Sequence, residues 1–170
     1  LRRSLARFPY PELVERVMQR YFVPGGIAPG TRFAEVARHT LEPSRDLLRL
    51  NVLASFVEVD LAREGHDGAV GINLLQKIVL PTLPTLYGAL LAGAGYVLMG
   101  AGIPLEIPAA LAALSGHQPA ALSVPVTVGH WRPWVLLPAD WRTWPAARLA
   151  AVMAHEGAHV NRGDYLAGIP

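Results

Sequence analysis

Apolar and polar residues alternate with a period near 3.6 along Pro11-Glu12-Leu13-Val14-Glu15-Arg16-Val17-Met18-Gln19-Arg20-Tyr21, which predicts an amphipathic helix ended by Pro24-Gly25-Gly26. Residues 24 to 46 are rich in Pro, Gly, Thr and Ser and read as a long surface loop, either a plain linker or a functional lid. Shorter apolar runs follow. Leu50 to Leu53 reads as a strand, Phe56 to Glu64 as a helix, Gly65-His66-Asp67-Gly68 as a turn and Val70 to Leu74 as a strand. Thr85 to Ala92 then reads as a helix, Tyr96 to Met99 as a strand, Gly100 to Pro104 as a tight connection, and Ile107 to Leu114 as a helix closed by Ser115-Gly116. Strands that alternate with helices in this way predict parallel β/α units, because adjacent parallel strands need a crossover helix between them.

The run from Ile78 to Leu105 carries no charge and is long enough to be weighed as a membrane span. Pro81, Pro84 and Pro104, with glycines at 88, 93, 95, 100 and 102, cut it into strand and helix lengths, so buried parallel strand and helix is the better reading. Further on, Val124 to Pro138 reads as a strand pair. Thr143 and Pro145 resemble a helix start before an alanine-rich apolar segment beginning at Ala146.

With 170 residues the chain is long enough to bury a core. It has no cysteine, which removes disulfides and thiolate metal sites. The net charge of +2 is dispersed, and Lys77 is the only lysine, so the chain lacks the basic face of a nucleic-acid binder. Leu1 to Arg7 carries neither the apolar core nor the cleavage site of a secretory signal and reads as an interior piece of a longer chain.

One tight cluster of chemistry-bearing residues stands out, Ala154-His155-Glu156-Gly157-Ala158-His159, an H-E-x-x-H motif. On a helix, His155 and His159 are i and i+4 and face one cation from one side, which suits zinc. Glu156 is turned roughly 100° from His155 at about 3.6 residues per turn, placing its carboxylate as general base for a metal-activated water. Leu149, Val152, Met153 and Val160 fall near the histidine side, so the ligands are expected at the edge of a buried stripe. The bland alternative is a core helix that carries two histidines by chance.

Val124-Pro125-Val126-Thr127-Val128-Gly129, Pro133-Trp134-Val135-Leu136-Leu137-Pro138, Trp141, His155-Glu156, His159, Arg162 and Asp164 resemble the BlaR/MecR-type membrane metallopeptidases over about residues 122 to 168. The family pattern is P-x-x-x-G, then P-x-[VI]-[LV]-L-P, then H-E-x-x-H-x-x-R-x-D on a helix. Gly157 stands where that family carries a larger apolar residue. The resemblance implies peptide or protein hydrolysis at Zn2+, with Arg162 and Asp164 supporting the ligands at the helix end. It also implies membrane association through parts of the chain not included in this sequence. A catalytic zinc takes three protein ligands. In that family the third is a glutamate on a later helix, and no glutamate occurs among the eleven residues after His159. The extended motif H-E-x-x-H-x-x-G-x-x-[HD] is excluded, since the corresponding positions hold Arg162 and Tyr165.

A second resemblance covers roughly residues 7 to 120. Phe8-Pro9-Tyr10-Pro11-Glu12-Leu13, Tyr21-Phe22-Val23-Pro24-Gly25-Gly26, Glu64-Gly65-His66-Asp67-Gly68, Val70-Gly71-Ile72-Asn73-Leu74-Leu75-Gln76-Lys77-Ile78 and Val97-Leu98-Met99-Gly100-Ala101-Gly102-Ile103-Pro104 are similar to the nitronate monooxygenases. Those are flavin-dependent (β/α)8 barrels with FMN over the carboxyl ends of the strands. The resemblance implies Asn73, Lys77, Gly100 and Gly102 as positions a flavin would approach, and a cytoplasmic location. Glycines making turns and an asparagine capping a strand are the plainer account.

The expected protein is therefore α/β, with partial parallel β/α units like a TIM-barrel fragment over 1–121. A strand pair and a zincin-type H-E-x-x-H helix follow over 122–170. Zinc peptidase chemistry ranks first and flavin chemistry second, and this chain alone is expected neither to turn over peptides nor to retain flavin.

Overall fold

Ser44 starts the helix around which the first part of the chain packs. Its hydroxyl accepts a hydrogen bond from the Leu47 backbone N–H at 3.2 Å, a side-chain cap that satisfies one of the free donors of the first turn. In the computed structural model, which describes residues 1–40, 42–102, 104–122, 126–128, 134–137 and 141–162, the chain divides into two compact units. These are Leu1–Leu122 and Ser123–Pro170.

The first unit contains α1 (Arg2–Arg7), α2 (Pro11–Tyr21), α3 (Arg45–Ala62), β1 (Gly71–Leu75), α4 (Thr82–Leu91), β2 (Tyr96–Gly100) and α5 (Ile107–Ser115). No regular element lies between α2 and α3 among the described residues. The expected strand at Leu50–Leu53 does not exist, because those residues lie inside α3. The alternation Leu48-Arg49-Leu50-Asn51-Val52-Leu53 mimics a strand, yet the segment lies in the helix that the Ser44 cap opens. That helix is sheltered on several faces: Leu47, Leu53, Phe56, Val57 and Val59 are all buried. Multi-sided burial blurs the 3.6 period from which a helix is read.

Two parallel strands remain where three were expected. β1 and β2 pair in register from Gly71 opposite Tyr96 to Leu75 opposite Gly100, with α4 as the crossover between them. The unit is therefore α/β, with helices predominating. The uncharged run from Ile78 to Leu105 is divided between α4 and β2, and no helix among the described residues is long and apolar enough to cross a membrane.

The core lies where α1, α2 and α4 meet α3. Phe8 sits edge-on to Phe56 at 4.9 Å between ring centroids, with Leu53, Val57, Val59, Ala89 and Ala92 buried around the pair. Two arginines clamp α1 to the far end of α3. Arg7 donates to Asp60 at 2.6 Å and to Glu64 at 2.8 Å, and Arg3 donates to Glu64 at 2.9 Å.

The second unit holds an antiparallel pair, β3 (Val126–Val128) and β4 (Trp134–Leu136), a short 3-10 turn at Trp141–Thr143, and α6 (Ala146–Arg162). α6 packs beside β3.

Candidate functional site

The helix that carries His155, Glu156 and His159 begins just after Pro145, whose carbonyl accepts hydrogen bonds from Arg148 N and Leu149 N. Pro145 has no N–H to leave unpaired at a helix start, and its fixed φ suits the entry. Trp144, buried ahead of it, anchors the entry, and the Arg148 guanidinium lies 4.0 Å from the centre of its ring. From there the backbone is helical without a break to Arg162. His155 and His159 therefore stand one turn apart on a single helix, with Glu156 and Arg162 on the same element. Asp164 lies outside the described residues.

Of the expected buried stripe, the side chains of Val160 and of both histidines lie outside what is described. Leu149, Val152, Gly157 and Ala158 are half-buried, whereas Met153 is exposed. A β-carbon added at Gly157 would meet nothing within 4 Å, so the glycine is not required by close packing. Among the described residues no group of three or more His, Asp or Glu side chains comes together as a metal site.

In the first unit, the residues picked out for a flavin gather only in part. Gly100 is the last residue of β2, Gly102 lies just beyond it, and exposed Lys77 follows the end of β1. Asn73 does not follow a strand end: it is the middle residue of β1, opposite Leu98, and points to the exposed face. Gln76 N donates to the Gly100 carbonyl at 2.9 Å and straps the two strand ends together. The Gln76 side chain covers Gly102, where an added β-carbon would come within 2.6 Å of its Cγ. Its Oε1 is buried without a hydrogen-bond partner, and neighbouring Ala101 is held at φ 58°, in the left-handed region.

Sequence reasoning gave no sign of a second polar group. Tyr87 on α4 joins Tyr10 at 3.2 Å between hydroxyls and His117 Nδ1 at 2.9 Å, just after α5. Burial, followed by the Tyr10 hydrogen bond, pushes the Tyr87 phenol up to about 12. Its members are 77 and 30 residues apart in the chain, too far for any motif to bring them together. Comparison of the chain with protein-family models, with curated proteins and with solved structures found no match.

Proposed function

We propose that the second unit carries the metal-binding helix of a zinc-dependent peptidase, with His155 and His159 as ligands and Glu156 as general base. The observation that supports this reading is the unbroken helix from Ala146 to Arg162. At about 1.5 Å rise per residue, it sets the two histidines ~6 Å apart along the axis and on one face. The donor set fits zinc in kind: two imidazoles with a carboxylate beside them. It supplies two of the three protein ligands that a catalytic zinc takes.

When bound, zinc supplies Lewis acidity and lowers the pKa of a coordinated water towards ~7. The chain's own residues do the rest. His155 and His159 hold the cation, and the Glu156 carboxylate accepts the proton lost by the attacking water. In this reading Arg162 and Asp164, three and five positions after His159 in the sequence, would pair with each other or orient a histidine. The substrate class is a peptide or protein, in keeping with the resemblance to BlaR/MecR-type enzymes, and the strand pair before the helix belongs to the same zincin-type reading. With two ligands the cation is held loosely, so binding without turnover is the expected state of this chain, since a misplacement of about 1 Å is costly in catalysis. Elemental analysis after dialysis tests the assignment. The chain should retain more zinc than the His155→Ala/His159→Ala double variant, and equal zinc in both proteins would refute the ligands.

Flavin-dependent nitronate oxidation by the first unit, as a piece of a (β/α)8 barrel, is the second reading. It is favoured by the parallel β1–β2 pair, with Lys77, Gly100 and Gly102 at its carboxyl ends. The fit to FMN is partial, because the Gln76 side chain fills the space over Gly102 that a ring would need. This chain alone is expected to be colourless, and a yellow preparation with a flavin absorbance band would favour this reading.

A further inference from the structure

A pocket of about 280 Å³ opens between the carboxyl end of α2 and the first turns of α3, with Arg16, Arg20, Tyr21, Asp46 and Arg49 among its lining. Three guanidinium groups share it with one carboxylate. Asp46 already holds two of them, accepting from Arg20 Nη1 at 2.7 Å and from Arg49 Nη1 at 3.2 Å. Each arginine carries five N–H donors, and this ion pair uses one from each, so donors remain on both. Arg16 is exposed one turn before Arg20 on α2 and makes no ion pair with any described residue.

The balance in the pocket is two positive charges in excess, on planar forks that bind phosphate oxygens in pairs. The Tyr21 ring stands beside them, with the Arg20 guanidinium 5.5 Å from its centre, and offers an apolar face next to the charged one. The walls are helical, and Asp46 fixes two of the three cations in place, so little ordering is left for a ligand to impose. We infer that this pocket binds a dianionic phosphate monoester, the phosphate on Arg16, Arg20 and Arg49 and the organic group towards Tyr21. The shared chemistry is the phosphate monoester, whether carried by a soluble metabolite or by a lipid headgroup such as phosphatidate. The site lies wholly in the first unit and is independent of the zinc reading.

Titration calorimetry of the full chain with phenyl phosphate, inorganic phosphate and vesicles containing phosphatidate in phosphatidylcholine tests it. One site per chain is expected, tighter for phenyl phosphate than for inorganic phosphate, and weakening as salt rises. Arg16→Gln should reduce affinity about tenfold, the scale of one charge-assisted contact, without changing the unfolding midpoint. Arg49→Gln should do the same. Arg2→Gln, an equal change of charge on α1, should leave affinity unchanged. Binding to phosphatidate vesicles alone would support the phosphate chemistry and assign it to a lipid headgroup. The proposal is overturned if no probe binds at millimolar concentration, or if Arg2→Gln costs as much as Arg16→Gln.

Discussion

Gly88 on α4 lies against the backbone of Val52 on α3 so closely that a β-carbon built on it would stand 2.1 Å from the Val52 carbonyl oxygen. Only the Val52 backbone and the small Ser55 side chain, whose Cβ would be 2.9 Å away, face the glycine there, and the Ser55 hydroxyl donates to the Thr85 carbonyl at 2.7 Å across the same seam. Because the obstacle is backbone, relief requires the helices to separate. Gly88→Ala should therefore destabilise the first unit by about 3 kcal/mol, the upper end for overpacking. All four tryptophans lie in the second unit. The loss should appear in urea unfolding followed by far-UV circular dichroism, with the tryptophan transition unmoved.

The clamp between α1 and α3 makes the first unit sensitive to acid. Hydrogen bonds from Arg3 and then Arg7 hold the Glu64 carboxyl down to about 2, from an ordinary value of 4.5, and the Arg7 hydrogen bond is the main cause that lowers Asp60. As pH falls below about 4.5, the unfolded chain takes up a proton that folded Glu64 refuses. The contribution is complete above that pH and is lost towards pH 2. The urea midpoint of the first unit should fall across this window. In Arg7→Gln the fall should be shallower, and an unchanged slope would show that the clamp is not its source.

At the alkaline end the relevant group is Tyr87. Its phenol is raised to about 12, so the folded state resists an ionisation that the unfolded chain undergoes near 10. Stability attributable to Tyr87 is whole below pH 10 and declines as pH rises towards 12. Ultraviolet titration should find one tyrosine ionising well above the others, and Tyr87→Phe should remove that late step. The variant also loses the contacts to Tyr10 and His117, at a cost of about 1 kcal/mol.

Gly157 presents the reverse of Gly88. It sits within α6 with open space where a side chain would go. Gly157→Ala should stabilise the second unit by about 1 kcal/mol, the helix-propensity difference, measured by tryptophan fluorescence in urea. If His155 and His159 hold zinc, stiffening the turn between them should also raise zinc retention on dialysis. Lower retention would mean that flexibility at Gly157 is needed to bring the ligands together.

Local patterns in the sequence placed α2, β1, α4, β2, α5 and the helix carrying His155 and His159 to within a few residues, because each has a strong boundary: Pro11, the Gly65–Gly68 turn, Gly93, Gly116 or Pro145. They also fixed the i, i+4 spacing of the two histidines, which depends only on the backbone being helical. The short α1 was not anticipated, since six residues carry too little periodicity to declare themselves.

Tertiary structure decided the rest. Leu50 to Leu53 alternate as a strand would, yet they form helix because α3 is covered by α1, α2 and α4, and burial on several sides removes the polar face by which a helix is recognised. Gly88 could be read from the sequence only as a breaker; its meaning comes from Val52, 36 positions earlier. Arg16 and Arg20 show their i, i+4 spacing on α2, but the pocket they line exists only because α3 brings Asp46 and Arg49 across from them. Tyr10, Tyr87 and His117 likewise become one group only through packing. Spacing along a chain fixes what one helix presents, whereas contacts between distant segments depend on which apolar faces bury one another, and that is settled only when the core closes.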